Sequence, residues 1–115
     1  MIRKAEEMRS ENIESMRDGN GEVQVTHILE KNEFNNKGRL FARNLLKPGT
    51  SIGFHQHVGD FESYYIIKGE GVLDDNGIKK PIKAGDLGYT ENGQGHSIEN
   101  TANTDLEFIS LVLYD

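Results

Sequence analysis

Glycine divides this chain at short, uneven intervals. Thirteen glycines stand against two prolines, and the stretches between them are rich in Val, Ile, Tyr, Phe and Leu. Glycine reaches the backbone conformations that tight turns demand. Short apolar runs bounded by such turns read as strands, so the pattern predicts an all-β sandwich or barrel with little helix. About nine strands are expected, near residues 22–27, 39–47, 52–57, 63–68, 71–74, 78–82, 86–90, 96–100 and 106–113. Val23, Val25 and His27 alternate with polar residues, as on a half-buried strand. Asp75-Asn76-Gly77 carries the Asn-Gly pair of a tight hairpin, and Pro48-Gly49 ends the strand before it.

The chain has 115 residues, which fits one domain. Only 35% are hydrophobic, so the core is modest and support from a second subunit would be natural. No apolar run is long enough for a membrane span, and the N-terminal stretch lacks the apolar segment of a secretory signal. With no cysteine, the chain has no disulfide scaffold, thiolate nucleophile or cysteine metal ligand, which fits a cytoplasmic location. A net charge of −6 argues against nucleic acid as a partner. Residues 1–21 differ from the barrel body at 22–115, because Met8, Ile13 and Met16 are isolated in a charged stretch. They read as an N-terminal arm, either loosely attached with one helical turn capped by Ser10 or Asn12, or packed on a neighbouring subunit.

The histidines narrow the function. His55 and His57 are two residues apart on an expected strand, so their imidazoles share a face. Glu62 follows a short loop, and His96 opens a later strand. Three imidazoles and a carboxylate form a coherent donor set for one first-row divalent metal, with one or two coordination positions left open. A His-x-His pair by itself also fits two surface histidines.

The spacing around these residues resembles that of the cupins. The first segment runs Gly49, five residues, His55-Gln56-His57, four residues, Glu62, six residues, Gly69. The second runs Gly85, five residues, Glu91-Asn92-Gly93, two residues, His96, three residues, Asn100, with Glu91 where the family has proline. The resemblance implies a double-stranded β-helix, a jelly-roll-like cupin barrel. It also implies His55, His57, Glu62 and His96 as ligands to one divalent transition metal per chain: manganese, iron, nickel or zinc.

Other side chains carry paired expectations. His27 reads as a half-buried strand residue rather than a ligand, Glu91 as a solvated turn residue, and Asp60 as a solvated loop carboxylate. Asn100 either orients a ligand or closes the turn over residues 101–105. Tyr64 shares the parity of Glu62 and is the candidate catalytic side chain. Ile52, Phe54, Phe61, Ile66, Ile98 and Phe108 are expected to line or support the cavity. Two functions stay open. One is a metal-dependent decarboxylase, oxidase, dioxygenase or isomerase acting on a small carboxylic acid or sugar-like molecule. The other is a metal-dependent module that binds or senses a small molecule. The segment Tyr64-Tyr65-Ile66-Ile67 is apolar on both faces, which predicts a covered outer face and a homodimer.

Overall fold

Ten strands and three short 3-10 turns account for the ordered elements, in a computed structural model that describes all 115 residues. The strands are β1 (Ser10–Glu14), β2 (Glu22–Leu29), β3 (Gly38–Leu46), β4 (Ser51–Gln56) and β5 (Asp60–Lys68). They continue with β6 (Glu70–Asp75), β7 (Ile78–Lys83), β8 (Leu87–Thr90), β9 (Gly95–Glu99) and β10 (Leu106–Tyr114). Two antiparallel sheets face each other. The larger has the order β1-β2-β3-β10-β5-β8, and the smaller β4-β9-β6-β7. No helix is long and apolar enough to cross a membrane.

Alternation along the strands sorts side chains between the faces. On β5, Ile66, Tyr64, Glu62 and Asp60 point inward and are buried. That row starts apolar and ends charged. On β10 the inward row Leu106, Phe108, Ser110 and Val112 carries one hydroxyl, at Ser110, toward the same end. The barrel is therefore oily at one end, where Leu46, Ile66, Ile98 and Phe108 are almost fully buried, and polar at the other. The Asp75–Gly77 hairpin forms as expected, with Asn76 and Gly77 both at positive φ.

The N-terminal segment differs from the reading of a loose arm. Residues 10–14 form β1, which pairs with β2 from Ser10 opposite Thr26 to Glu14 opposite Glu22. Ile13 and Met16 pack against the core. No helical turn starts at Ser10 or Asn12; the 3-10 turns span Ala5–Glu7 and Met16–Asp18. Polar pairs fasten the segment: Arg3 to Glu33, and Arg9 to both Glu11 and Glu30. The strand β5 also starts earlier than expected, at Asp60, because Gly59 at φ 82 completes the preceding turn.

Candidate metal centre

The polar end of the barrel collects the four residues singled out by spacing. His55 lies on β4 directly opposite His96 on β9. His57 follows one residue beyond β4, and Glu62 comes from the facing sheet on β5. The register of β4 shifts between Ile52 and His55. That irregularity lets both point inward and turns Phe54 out, so Phe54 is exposed rather than lining the cavity. Phe61 also faces outward, against Tyr89.

The donor atoms of the four residues lie within 4.8 Å of one another. His96 Nε2 is 3.1 Å from His55 Nε2 and 3.2 Å from His57 Nε2. Glu62 Oε1 is 3.0 Å from both His57 Nε2 and His96 Nε2. His57, Glu62 and His96 are at most 3% exposed.

The other ring nitrogens decide what this convergence means. His55 Nδ1 lies 2.8 Å from the Gly53 carbonyl oxygen, which only accepts a hydrogen bond. His57 Nδ1 lies 2.6 Å from an Asp60 carboxylate oxygen, also an acceptor. His96 Nδ1 lies 2.8 Å from the Thr90 hydroxyl. Assigned from these partners, the protons of neutral His55 and His57 sit on Nδ1 and leave their Nε2 lone pairs bare, while the Thr90 hydroxyl, which can donate or accept, is compatible with the same tautomer at His96. With His96 in that tautomer, three lone pairs and a carboxylate oxygen meet at one point. Only protons or a cation can relieve their repulsion, so the cluster fits a divalent metal.

Electrostatics in the metal-free fold agree. Burial alone would push the Glu62 carboxyl up, but the three imidazoles around it together hold it well below the ordinary carboxylate range. The bond to Glu62 pushes His57 up against the effect of burial, and Asp60 adds to it. Burial pushes His96 down. Burial also pushes the Tyr64 hydroxyl well up, helped by the Glu62 charge.

Asp60 corrects the reading of a solvated loop carboxylate. It is 6% exposed, and its second oxygen accepts a bond of 2.9 Å from Arg39 Nε. The chain Arg39–Asp60–His57 orients the ring and fixes its tautomer, as carboxylates behind ligating histidines commonly do. The Thr90 hydroxyl orients the His96 ring in the same way without choosing its tautomer. Sequence reasoning missed both Arg39 and Thr90. Thr90 had one available signal, its pairing with Glu62 across β5 and β8, but register is not readable from one chain. Of the two readings of Asn100, the structure supports the turn: its side chain donates to the Leu46 and Thr104 carbonyls and accepts from Ala102 N–H. His27 lies apart from the cluster, 2.6 Å from Glu11. Glu91 is exposed on its turn.

Tyr64 lies where its parity placed it. Its ring stacks on His96, with centroids 4.6 Å apart and planes 17° from parallel. It borders a cavity of about 40 Å³ beside the cluster, walled by Met16, Leu40, Ile52 and Val112 and carrying Asn44 and Ser110. Arg17 and Arg39 also line it. A space this size accepts a molecule of a few heavy atoms.

The fold and site define a cupin. The family model for the cupin domain matches residues 43–112, and the chain belongs to that family. Over 98% of its length it is 53% identical to an oxalate-binding protein of Thermotoga maritima, covering 93% of that protein. A crystal structure from Thermotoga maritima, described as a predicted oxalate decarboxylase, superposes with a TM-score of 0.95 at 52% identity, with both chains covered completely. A Klebsiella pneumoniae protein of unknown function with a double-stranded β-helix domain is also similar. It has a TM-score of 0.71 and 26% identity, with 99% of this chain and 96% of that one covered.

Proposed function

We propose that this protein uses one divalent transition metal, held by His55, His57, Glu62 and His96, to bind a short carboxylic acid of the size of oxalate. The observation that carries the reading is the convergence of three imidazole Nε2 atoms and one carboxylate oxygen, with each second ring nitrogen already engaged. A bound cation supplies a Lewis-acid face that attracts carboxylate oxygens. The chain's own residues supply the rest. Tyr64 keeps its proton and offers a hydroxyl donor, while Ser110, whose oxygen accepts from the Asn44 amide, keeps its own hydroxyl proton to offer. Leu40, Ile52 and Val112 keep water away from the acid. The small cavity favours a carboxylic acid over a sugar, and the relative named for binding oxalate supports the same ligand class.

Binding rather than turnover is favoured by the carboxylates. Splitting oxalate into formate and CO₂ consumes a proton. Glu62 is committed to the imidazoles, and Asp60 to His57 and Arg39. Neither is free to deliver that proton, and Tyr64 is a weak acid here. The second reading is a decarboxylase. Support for it comes from the Thermotoga maritima structure described as a predicted oxalate decarboxylase. Both readings are tested by loading the purified protein with manganese, iron, nickel or zinc and titrating oxalate by calorimetry. The mixtures are then assayed for formate and CO₂. Saturable heat without product supports the binding protein, product supports the enzyme, and the absence of both refutes the shared carboxylate reading.

A homodimer through the outer face of the larger sheet completes the reading. Tyr65 pairs in register with Leu87 on one side and Ile109 on the other, and Ser63 with Tyr89 and Leu111. Leu87 is 61% exposed and Tyr65 49%. Contiguous exposed apolar area of this kind marks interaction surfaces.

A further inference from the structure

The chain has five arginines, and four are committed to carboxylates: Arg3 to Glu33, Arg9 to Glu11 and Glu30, Arg39 to Asp60, and Arg43 to Glu107. Arg17 has no such partner, although the chain carries 19 acidic residues. It is an exposed residue that lines the cavity beside the cluster. Its charge also acts on the buried Tyr64 hydroxyl, where it opposes that of Glu62.

The backbone that carries Arg17 is unusual. Ser15, Arg17 and Asp18 all have left-handed φ values, of 50°, 55° and 63°. Side chains other than glycine rarely adopt this conformation, and such residues gather at binding sites, where the surrounding structure forces them. Here the force comes from β4, the strand that carries His55. A Cβ on Gly53 would collide with the Arg17 carbonyl oxygen, and one on Gly19 with that of Ser51. Ser51 N–H donates to the Asn20 carbonyl at 2.9 Å, and Asn20 N–H donates to Ser51 Oγ at 2.9 Å. The turn is therefore clamped to the element that holds a candidate ligand.

We propose that Arg17 is the specificity-determining residue of the pocket, reading the outward oxygens of a short dicarboxylate whose inner oxygens face the cluster. This inference rests on the reading that the cluster holds a cation that binds a small acid. Charge explains the preference. A divalent cation with Glu62 leaves one net positive charge, since the imidazoles are neutral and Asp60 is balanced by Arg39. A dianion turns that into one negative charge, which Arg17 cancels. Uncompensated charge against the buried His57, Glu62 and His96 is unfavourable. A monoanion would need no such help. Shape agrees, because a guanidinium is a planar fork that donates two parallel bonds to carboxylate oxygens. Arg39 is less suited, because its Nε already serves Asp60.

The test compares metal-loaded wild type with Arg17→Gln, Arg17→Lys and Arg17→Gly, using oxalate and formate as calorimetric probes. Metal content and the thermal midpoint without acid are measured alongside. Arg17→Gln is expected to weaken oxalate binding about ten-fold or more, the loss of a charge-assisted bond, with formate binding changed less than about two-fold and metal content unchanged. Arg17→Lys keeps the charge without the fork and falls between. Arg17→Gly relaxes the left-handed backbone, so it is expected to lose oxalate affinity while its midpoint stays at or above that of wild type. A residue with only a structural role would not separate the two. Equal oxalate affinity in Arg17→Gln and wild type at equal metal content overturns this inference alone. A metal-loaded wild type that binds neither acid overturns it together with the reading beneath it.

Discussion

Asp60 shows how much of the site lies behind the ligands. Its carboxylate holds the proton on His57 Nδ1, which leaves Nε2 free to face the centre. Asp60→Asn keeps the shape and removes the charge, and an amide can present its N–H₂ to the ring. Metal affinity in this variant is expected to fall about 10–100-fold, as for other partners of ligating histidines; a competition titration against a chelator measures it, and an unchanged affinity would contradict the role. The pH dependence follows from the same residues. In the metal-free fold the bond to Glu62 raises His57 above its ordinary value of 6.5, so a cation must displace a proton there even above that pH. Metal affinity is therefore expected to decline as pH falls, starting above 6.5, and a titration series from pH 8 to 5 that stays flat would exclude imidazole ligation. Stability of the metal-free form obeys the opposite sign at this residue. The raised His57 contributes stability that is complete below 6.5 and is lost as pH rises through its folded value. The lowered Glu62 contributes stability that is complete above 4.5 and is lost as pH falls through its folded value. Of the four converging residues, His55, His57 and Glu62 were legible from local spacing, while His96, 34 residues beyond Glu62, was legible through the second spaced segment and the family resemblance it carries. Asp60 was not, since its burial depends on Arg39 from a strand 21 residues earlier.

Strands with alternating or continuous apolar residues could be read from the chain, and β2 to β10 follow that reading within a few residues. β1 could not. It has a single apolar residue, Ile13, and its place is set by main-chain pairing with β2 and by ion pairs, neither of which leaves a hydrophobic period. The bulge in β4 was equally hidden, because strict alternation cannot place both Ile52 and His55 inward. The contact between β4 and the turn at Met16–Asp18 depends on Gly53 having no side chain. Gly53→Ala sets a methyl group against the Arg17 carbonyl, and the obstacle is backbone that cannot rotate away. A loss of stability of about 1–3 kcal/mol is expected from such overpacking. Chemical denaturation measures it, and an unchanged midpoint would mean that the turn is not clamped to the strand.

At the scale of the whole molecule, the two ends of the barrel divide the work. The apolar end supplies the core, and the polar end gathers charge that is tolerable only when paired. The homodimer proposed for the outer face of the larger sheet predicts a sedimentation coefficient of two chains at micromolar concentration, with Leu87→Glu shifting the population to monomer; a wild type that sediments as a monomer would end that proposal. The central claim is narrower: one cation sits among His55, His57, Glu62 and His96. Elemental analysis by inductively coupled plasma mass spectrometry, on the purified wild type and on the His55→Ala/His57→Ala variant, addresses it directly. The account predicts one divalent transition metal per chain in the wild type and none in the variant. A wild type that takes up no such metal after reconstitution, or a variant that keeps a full complement, would contradict it.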